Sequence, residues 1–307
     1  MASFSPTDAA LTGFRVVREH PKALIGWILL QFILSLTTSL ALVGFAGPSV
    51  ARLQTEGLQL LTDPVTAEAF QRQLLPALGV ILLVILIIYP LFNAAMNRAV
   101  MRPQDDRFGY LRVGADELRQ LGLIMIFMAM GLAAEIVLVT VVVTVATTLH
   151  AVAGPVAGAL GGLLVLGAGL AGLVVVGVRL SLASALTFAT GRVNPFGSWA
   201  MTRGHGRPIF FALCIALATS VLVGVLGIVV IQASMSAVWV VVAGRAAPMA
   251  TTPSSIAAFL TPFELGYTAL TAALNGLMLP LMLTPPATIY KSLAPVGTKA
   301  LIDKMFA

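Results

Sequence analysis

The sequence predicts an all-α, polytopic membrane protein, with six transmembrane helices as three helical hairpins and short amphipathic cytoplasmic helices. Hydrophobic residues make up 59% of the 307 residues and charged residues only 10%, whereas a soluble chain is about half apolar and a quarter charged. Six apolar segments are long enough to cross a hydrocarbon core of about 30 Å, which takes roughly 20 helical residues. The basic residues concentrate on alternate connections between these segments.

The six segments fill most of the chain, so we treat residues 1–307 as a single transmembrane domain. They pair in order into three hairpins, because each is followed by a short connection and a returning segment. The predicted spans are 23–46, 75–96, 121–149, 157–178, 209–231 and 259–287.

The charge pattern predicts the direction of the spans. All but three of the 18 basic residues fall on one side, the exceptions being Arg52, Arg72 and Arg245. Basic residues are retained in the cytoplasm, which predicts cytoplasmic amino and carboxyl ends and a multi-pass protein of the bacterial inner (plasma) membrane. The outer connections are then a loop over 47–74, a turn at 150–155 and the segment 243–255.

Each hairpin is preceded by a segment that we predict to be an amphipathic, interfacial helix on the cytoplasmic side. In the first, 5–20, Pro6 suits the first helical turn and Ala10, Phe14 and Val17 share an apolar face, with Arg15 pointing elsewhere. Such segments lie in the headgroup plane or pack against the end of the bundle, and both interpretations stay open.

The other two interfacial segments follow the second and fourth spans. In 107–120 a single helical stripe is predicted for Phe108, Leu111, Ala115, Leu118 and Leu121, with Arg112 on the polar side. In 194–204, Asn194 and Pro195 predict a capped start, Phe196 and Trp199 an apolar face, and Arg203 the polar end.

Glu135 is the one acidic residue deep inside a predicted span. A carboxylate at that depth costs several kcal/mol unless it is protonated or paired. It therefore marks either a functional path or a structural hydrogen bond to a polar residue of another helix, such as Asn275 or Gln31.

Further intramembrane polar candidates are Asn93 and Asn97, near the cytoplasmic end of the second span. Pro90 precedes them and removes a helical hydrogen bond, which predicts a kink. In the fourth span, Gly158 and Gly162 have the spacing of small residues at a close helix contact. This contact lies inside the bundle or, as the alternative, at a dimer face.

The sequence contains no pattern of catalytic or cofactor-binding residues. It has one cysteine, Cys214, no zinc-ligand spacing, and no phosphate-binding or nucleophile motif. Basic residues are spread over several connections without a nucleic-acid recognition module. We therefore predict no catalytic, metal or cofactor site, no enzymatic activity and no nucleic-acid partner.

Three short stretches carry a resemblance that extends over nearly the whole chain. They are RFGYLRVGADELRQLGL at 107–123, SWAMTRG at 198–204 and YKSL at 290–293. With them the chain resembles bacterial six-helix inner-membrane proteins related to the membrane domain of glycerophosphodiester phosphodiesterases. The phosphodiesterase barrel has no counterpart here, so the resemblance implies the fold and the membrane location but not the catalytic activity.

These observations favour a non-enzymatic accessory, assembly or scaffold protein of the inner membrane. Its basic, aromatic cytoplasmic face would hold anionic lipid, a protein partner or a second copy, with Phe14, Arg15, Arg112, Trp199 and Arg203 as the interfacial candidates. The alternative is a transporter or channel for a small or lipid-like molecule, which would use Glu135 and the kink at Pro90.

Overall fold

The structure is a computed structural model that describes residues 4–57, 59, 62–244 and 253–294, and within these residues the chain is all-α. A short 3₁₀ turn at Arg107–Tyr110 joins the fourth and fifth helices. The α-helices are α1 (Pro6–Ala10), α2 (Thr12–Glu19), α3 (Pro21–Glu56), α4 (Pro64–Met101), α5 (Ala115–Ala153), α6 (Pro155–Leu180), α7 (Ala183–Thr190), α8 (Gly197–Met201), α9 (Gly206–Ala243), α10 (Ile256–Phe259) and α11 (Pro262–Leu293).

Six helices in the described part of the chain are long and apolar enough to cross a membrane: α3, α4, α5, α6, α9 and α11. They contain five of the six predicted spans in full and the sixth from Pro262 onward, which confirms the all-α, polytopic membrane fold. At 1.5 Å per residue each exceeds the length needed to cross the hydrocarbon core. Arg245, Lys299 and Lys304, which contributed to the charge pattern, lie outside the described residues.

The chain divides into two compact units, with boundaries inside α9 and α11. The larger unit contains residues 10–112 and 215–285, and its core gathers Trp27, Phe92, Met96 and Tyr110 from α3, α4 and the 3₁₀ turn. The smaller unit contains residues 4–9, 113–214 and 286–294. Its core contains Ala9, Leu182, Ile209, Ala212 and Ile289.

The outer connection of the first hairpin is shorter than the predicted loop over 47–74, and this prediction is wrong in its extent. Helix α3 continues to Glu56 and α4 already begins at Pro64. The carboxylate of Asp63 accepts hydrogen bonds from the hydroxyl of Thr66, at 2.5 Å, and from its amide, at 3.0 Å. These bonds hold the pKa of Asp63 below its usual value, and they cap the first turn of α4.

Polar contacts within and between the two helices account for these extra turns. Arg52 and Glu56 form an ion pair of 3.0 Å within α3, and Arg72 pairs with Glu68 within α4. The hydroxyl of Ser49 donates to the side-chain oxygen of Gln73 at 2.6 Å, which joins the two helices. Charge pairs of this spacing support helix in water, so the apolar pattern alone underestimated both helices.

The second hairpin is formed by α5 and α6, which pack through glycine. A Cβ on Gly158 would lie 2.7 Å from the carbonyl oxygen of Ala146, and one on Gly162 would lie 3.2 Å from the Ala146 Cβ. Only glycine permits so close a helix contact. The interpretation of Gly158 and Gly162 as a packing contact inside the bundle is therefore confirmed.

The first interfacial segment is helical, and of the predicted apolar face Ala10 is buried. Thr12, Gly13 and Val16 are buried, whereas Phe14 is exposed. The reason is steric, because a Cβ on Gly13 would lie 2.5 Å from the Cα of Leu281 in α11. The smallest side chain of α2, rather than the largest, marks the contact face.

The second interfacial segment is not the continuous helix predicted over 107–120. The chain turns at Arg107–Tyr110, runs extended at Leu111 and Gly114, and becomes helical only at Ala115. The stripe from Phe108 to Leu121 therefore does not exist. Left-handed backbone at 108–110 interrupts the helical period.

The third interfacial segment does not start as predicted, because α8 begins at Gly197 with Phe196 as its cap, so Asn194 and Pro195 precede the helix. The side-chain oxygen of Asn194 accepts a hydrogen bond of 2.9 Å from the amide of Gly197. The helix α8 that follows is five residues long, and both Phe196 and Trp199 are exposed.

The contact of Gly13 with α11 gives a test of the packing. We expect Gly13→Val to lower the free energy of unfolding by about 1–3 kcal/mol, because the new methyl groups overlap the backbone at Leu281. Thermal unfolding in detergent measures this. Gly79→Ala is the matched control, since a Cβ on Gly79 meets no atom within 4 Å, and its midpoint should stay unchanged or rise. An unchanged midpoint for Gly13→Val would contradict the close approach.

Candidate functional site

A strained turn follows α4 at its predicted cytoplasmic end. Three consecutive residues have left-handed backbone, with φ of 53° at Phe108, 65° at Gly109 and 65° at Tyr110. Glycine tolerates this conformation, but each of the other two residues costs on the order of 1 kcal/mol. Such a turn persists only when the surrounding contacts hold it in place.

Two buried side chains hold the carbonyl groups of the turn. The indole Nε1 of Trp27 donates to the carbonyl oxygen of Gly109 at 2.9 Å, and the guanidinium of Arg98 donates to that of Tyr110. Both side chains are almost fully buried, as is Tyr110. We call Trp27, Arg98, Gly109 and Tyr110 the turn clamp.

The ring of Tyr110 extends the clamp to both flanking segments. Its hydroxyl donates to the carbonyl oxygen of Pro103 at 2.8 Å and lies 3.2 Å from Nδ1 of His20. The rings of His20 and Tyr110 meet edge to face. One phenol thereby joins the residue that precedes α3 to the segment that follows α4.

The turn that the clamp holds exposes an aromatic side chain at the surface. Phe108 is 85% exposed, and its neighbour Arg107 is exposed as well. Arg112, an interfacial candidate from the sequence, forms an ion pair with Asp105, so its charge is partly compensated. Of the basic residues in this turn, Arg107 therefore offers its charge most openly.

A second clamp lies in the smaller unit, where α6 ends and α7 begins. The hydroxyl of Ser198 donates to the carbonyl oxygen of Arg179 at 2.7 Å and accepts from the amide of Leu182 at 3.2 Å. The guanidinium of Arg179 donates to the carbonyl oxygen of Thr202 at 2.9 Å. It also lies 5.8 Å above the ring of Trp199, within the range of a cation–π contact.

A paired hydrogen bond holds α7 against α5 in the same unit. The amide of Gln120 donates to the carbonyl oxygen of Ser184 at 3.0 Å, and the hydroxyl of Ser184 donates back to Gln120 Oε1 at 2.9 Å. Gln120 is buried. The helix break at the end of α6 is therefore held from two sides by side chains.

The interfacial candidates from the sequence stay largely at the surface. In the larger unit Phe14 and Arg15 are exposed; in the smaller unit Trp199 and Arg203 are exposed. Trp199 is 45% exposed despite its contact with Arg179. Each unit thus has its own exposed pair of an aromatic and a basic residue, and of the five candidates Arg112 is the one with an ion pair to a described residue.

The intramembrane polar candidates differ in their surroundings. The amide of Asn97 is buried and donates to the carbonyl oxygen of Asn93, which donates in turn to that of Tyr89. Asn275 is half-buried in α11. Glu135 is exposed on α5, and its carboxyl has no hydrogen-bond partner within the described part of its own unit.

Pro90 is buried in α4, which runs without interruption from Pro64 to Met101. Histidine and acidic residues are dispersed, and no group of three or more His, Cys, Asp or Glu residues lies together in the described ranges. Among the described residues, the candidate site therefore consists of the polar contacts at the helix ends.

Sequence reasoning did not identify the turn clamp or the part that Ser198 plays in the second clamp. Trp27, Tyr110 and Ser198 looked like ordinary apolar or polar residues, since periodicity does not reveal a hydrogen bond across 82 positions of the chain. Two stretches that carried the resemblance, at 107–123 and 198–204, contain the clamped residues. The grouping of Gly109 and Tyr110 after a long apolar helix was the available signal.

Comparison with known proteins adds no relationship. No family model matches the chain, and no curated protein or solved structure matches it.

The turn clamp predicts local stability at Arg107. Trp27→Phe keeps the aromatic ring but leaves the carbonyl oxygen of Gly109 without its donor, which costs about 1–3 kcal/mol. We expect trypsin to cleave after Arg107 faster, by roughly tenfold per 1.4 kcal/mol of local stability lost. Cleavage of the folded protein in detergent, followed by mass spectrometry, gives the rate.

Trp239→Phe is the matched control, because the buried indole nitrogen of Trp239 has no hydrogen-bond partner in the described structure. Its cleavage rate at Arg107 should equal that of the unmodified protein. Equal rates for both variants would mean that Trp27 does not hold the turn.

Proposed function

We propose that this integral membrane protein is a non-enzymatic accessory, assembly or scaffold protein. In this proposal it holds anionic lipid or a protein partner on its basic cytoplasmic face. The observation that carries the proposal is the strained turn at 108–110, which is held by buried side chains and presents Phe108 and Arg107 outward.

Backbone strain of this kind supports a functional role for the side chains that the turn exposes, Phe108 and Arg107. A relaxed loop would connect α4 and α5 without two non-glycine residues in the left-handed region. Burying Arg98 to hold one carbonyl is also costly unless its hydrogen bonds are made. The chain retains both features, and an 85% exposed phenylalanine results.

The chemistry of these surface residues fits an anionic headgroup layer. Aromatic rings partition into the interface, and each basic residue near the surface contributes about 1 kcal/mol of attraction to anionic lipid. The same combination of an exposed aromatic residue and an exposed basic residue occurs at Phe14 with Arg15 and at Trp199 with Arg203. Such a pair would bind either an anionic lipid headgroup or an acidic protein segment.

The transporter alternative receives less support. Glu135 is exposed, and Pro90 lies inside an uninterrupted helix. Transporters build their substrate sites from discontinuous helices and inward-facing polar groups near the membrane midplane. Neither residue has those surroundings, so we do not assign a transport mechanism to them.

The proposal includes location in a bacterial inner membrane with both ends in the cytoplasm, as the charge asymmetry favours. It also retains the resemblance to the membrane domain of glycerophosphodiester phosphodiesterases as an expectation for the fold.

Removing the presented side chains should weaken lipid retention. In nanodiscs that contain phosphatidylglycerol and phosphatidylcholine, we expect Phe108→Ser combined with Arg107→Gln to reduce the anionic lipid that co-purifies, by roughly threefold to tenfold. Quantification of bound lipid by native mass spectrometry tests this. The control is Arg72→Gln, which removes one charge from the predicted outer end. Equal phosphatidylglycerol retention in all three proteins would contradict the proposal that these side chains hold anionic lipid.

The predicted orientation has its own test. In a Cys214→Ala background, we expect an impermeant maleimide to label Gln59→Cys from the outside of intact spheroplasts, whereas Gln104→Cys reacts only after lysis. The reason is the excess of basic residues around Gln104. Labelling of both positions from one side would contradict the topology and remove the cytoplasmic face from the proposal.

A further inference from the structure

Glu135 occupies the centre of the predicted apolar segment 121–149. Fourteen uncharged residues separate it from Gln120 and fourteen more separate it from His150. At 1.5 Å per residue this places about 21 Å of apolar helix on each side. The carboxyl is exposed at the surface of α5, so in a bilayer it would face hydrocarbon, where an unpaired carboxylate is costly.

The contact between α5 and α6 extends to within one turn of this residue. A Cβ on Gly169 of α6 would overlap the side chain of Leu138, so the two helices touch at that level. Glu135 lies about one turn before Leu138 on the same side of α5, and Gly172 lies one turn after Gly169. A Cβ on Gly172 would meet no atom within 4 Å, and the same is true of Gly131, one turn before Glu135.

Glu135 therefore lies beside the open space at Gly131 and Gly172, which we call the recess. The neighbouring residues on both helices are glycines with open space beside them, which allows another helix to approach closely. The carboxyl group of Glu135, which has no hydrogen-bond partner in the described part of its unit, borders this recess, and that group decides which chemistry would bind there.

We propose that this recess binds a transmembrane helix of a partner protein that carries a lysine or arginine near the middle of its span. An ammonium or guanidinium group beside Glu135 would form the ion pair that the apolar surroundings favour. The same contact would relieve the cost of a basic residue in the partner's own helix, so each helix would be stabilised by the other.

A second copy of this chain fits the recess less well. A basic side chain at the depth of Glu135 is needed, and the described spanning helices carry their basic residues toward their ends, as at Arg98 and Arg179. A symmetric contact would bring two Glu135 carboxyls together and supply no positive charge. Charge complementarity therefore selects a different partner.

This inference does not rest on the proposed function, because it concerns a lipid-facing recess rather than the basic surface at the helix ends. A loss of lipid retention in the Phe108 variant and a loss of helix binding in a Glu135 variant would be separate results.

The test uses two synthetic peptides and the full chain in nanodiscs. Each peptide is a 21-residue leucine–alanine helix with a fluorophore at one end, and the central residue is lysine in one and norleucine in the other. We expect energy transfer from a labelled Cys214 to show that the lysine peptide binds at least tenfold more tightly. Glu135→Gln should abolish this preference, while the matched control Glu264→Gln, near the end of α11, should keep it.

Three results would overturn the proposal. Equal binding of the two peptides to the unmodified protein would show that the recess does not recognise positive charge, whatever the folding of the variants. A preference that survives in Glu135→Gln would place the recognition elsewhere. Concentration-dependent self-association that is lost in Glu135→Gln, without peptide binding, would assign the recess to a second copy.

Discussion

The absence of water in the hydrocarbon core is the constraint on which this structure depends. Every backbone amide and carbonyl at that depth must be paired within the protein, which the six long helices achieve by themselves. The difficulty arises where a helix ends near the membrane surface and the chain has to turn. There the side chains of Trp27, Arg98 and Ser198 supply the hydrogen bonds that the backbone lacks.

The two clamps separate rigid from adaptable parts of the molecule. A turn whose carbonyls are bound by buried donors keeps its shape, so Phe108 stays outside the core at little further entropic cost when it meets a ligand. Glu135 is the opposite case, because its helix is regular and its side chain lacks a partner among the described residues of its unit. The first arrangement is complete without a ligand, whereas the second requires one to neutralise it.

Features that depend on composition and length could be predicted from the sequence. Features that depend on contacts between distant residues could not. The six spans followed from apolar length, and the contact at Gly158 followed from the spacing of small residues. The prediction of a helix over 107–120 was wrong because left-handed backbone at Gly109 and Tyr110 interrupts the helix. The spacing of Leu111 and Leu118 in the sequence does not show this interruption. The sequence left the orientation of α2 open, because glycine, which has no hydropathy signal, makes the contact with α11.

The continuation of α3 and α4 past the predicted outer boundary affects how the first hairpin tolerates membranes of different thickness. The ion pairs Arg52–Glu56 and Glu68–Arg72 each lie within a single helix, so both helices remain intact whether lipid tails or headgroups surround the turns just below them. A thicker bilayer would cover more of a helix that is already formed, and a thinner one would expose more of it. The hairpin can thereby accommodate hydrophobic mismatch without refolding its connection.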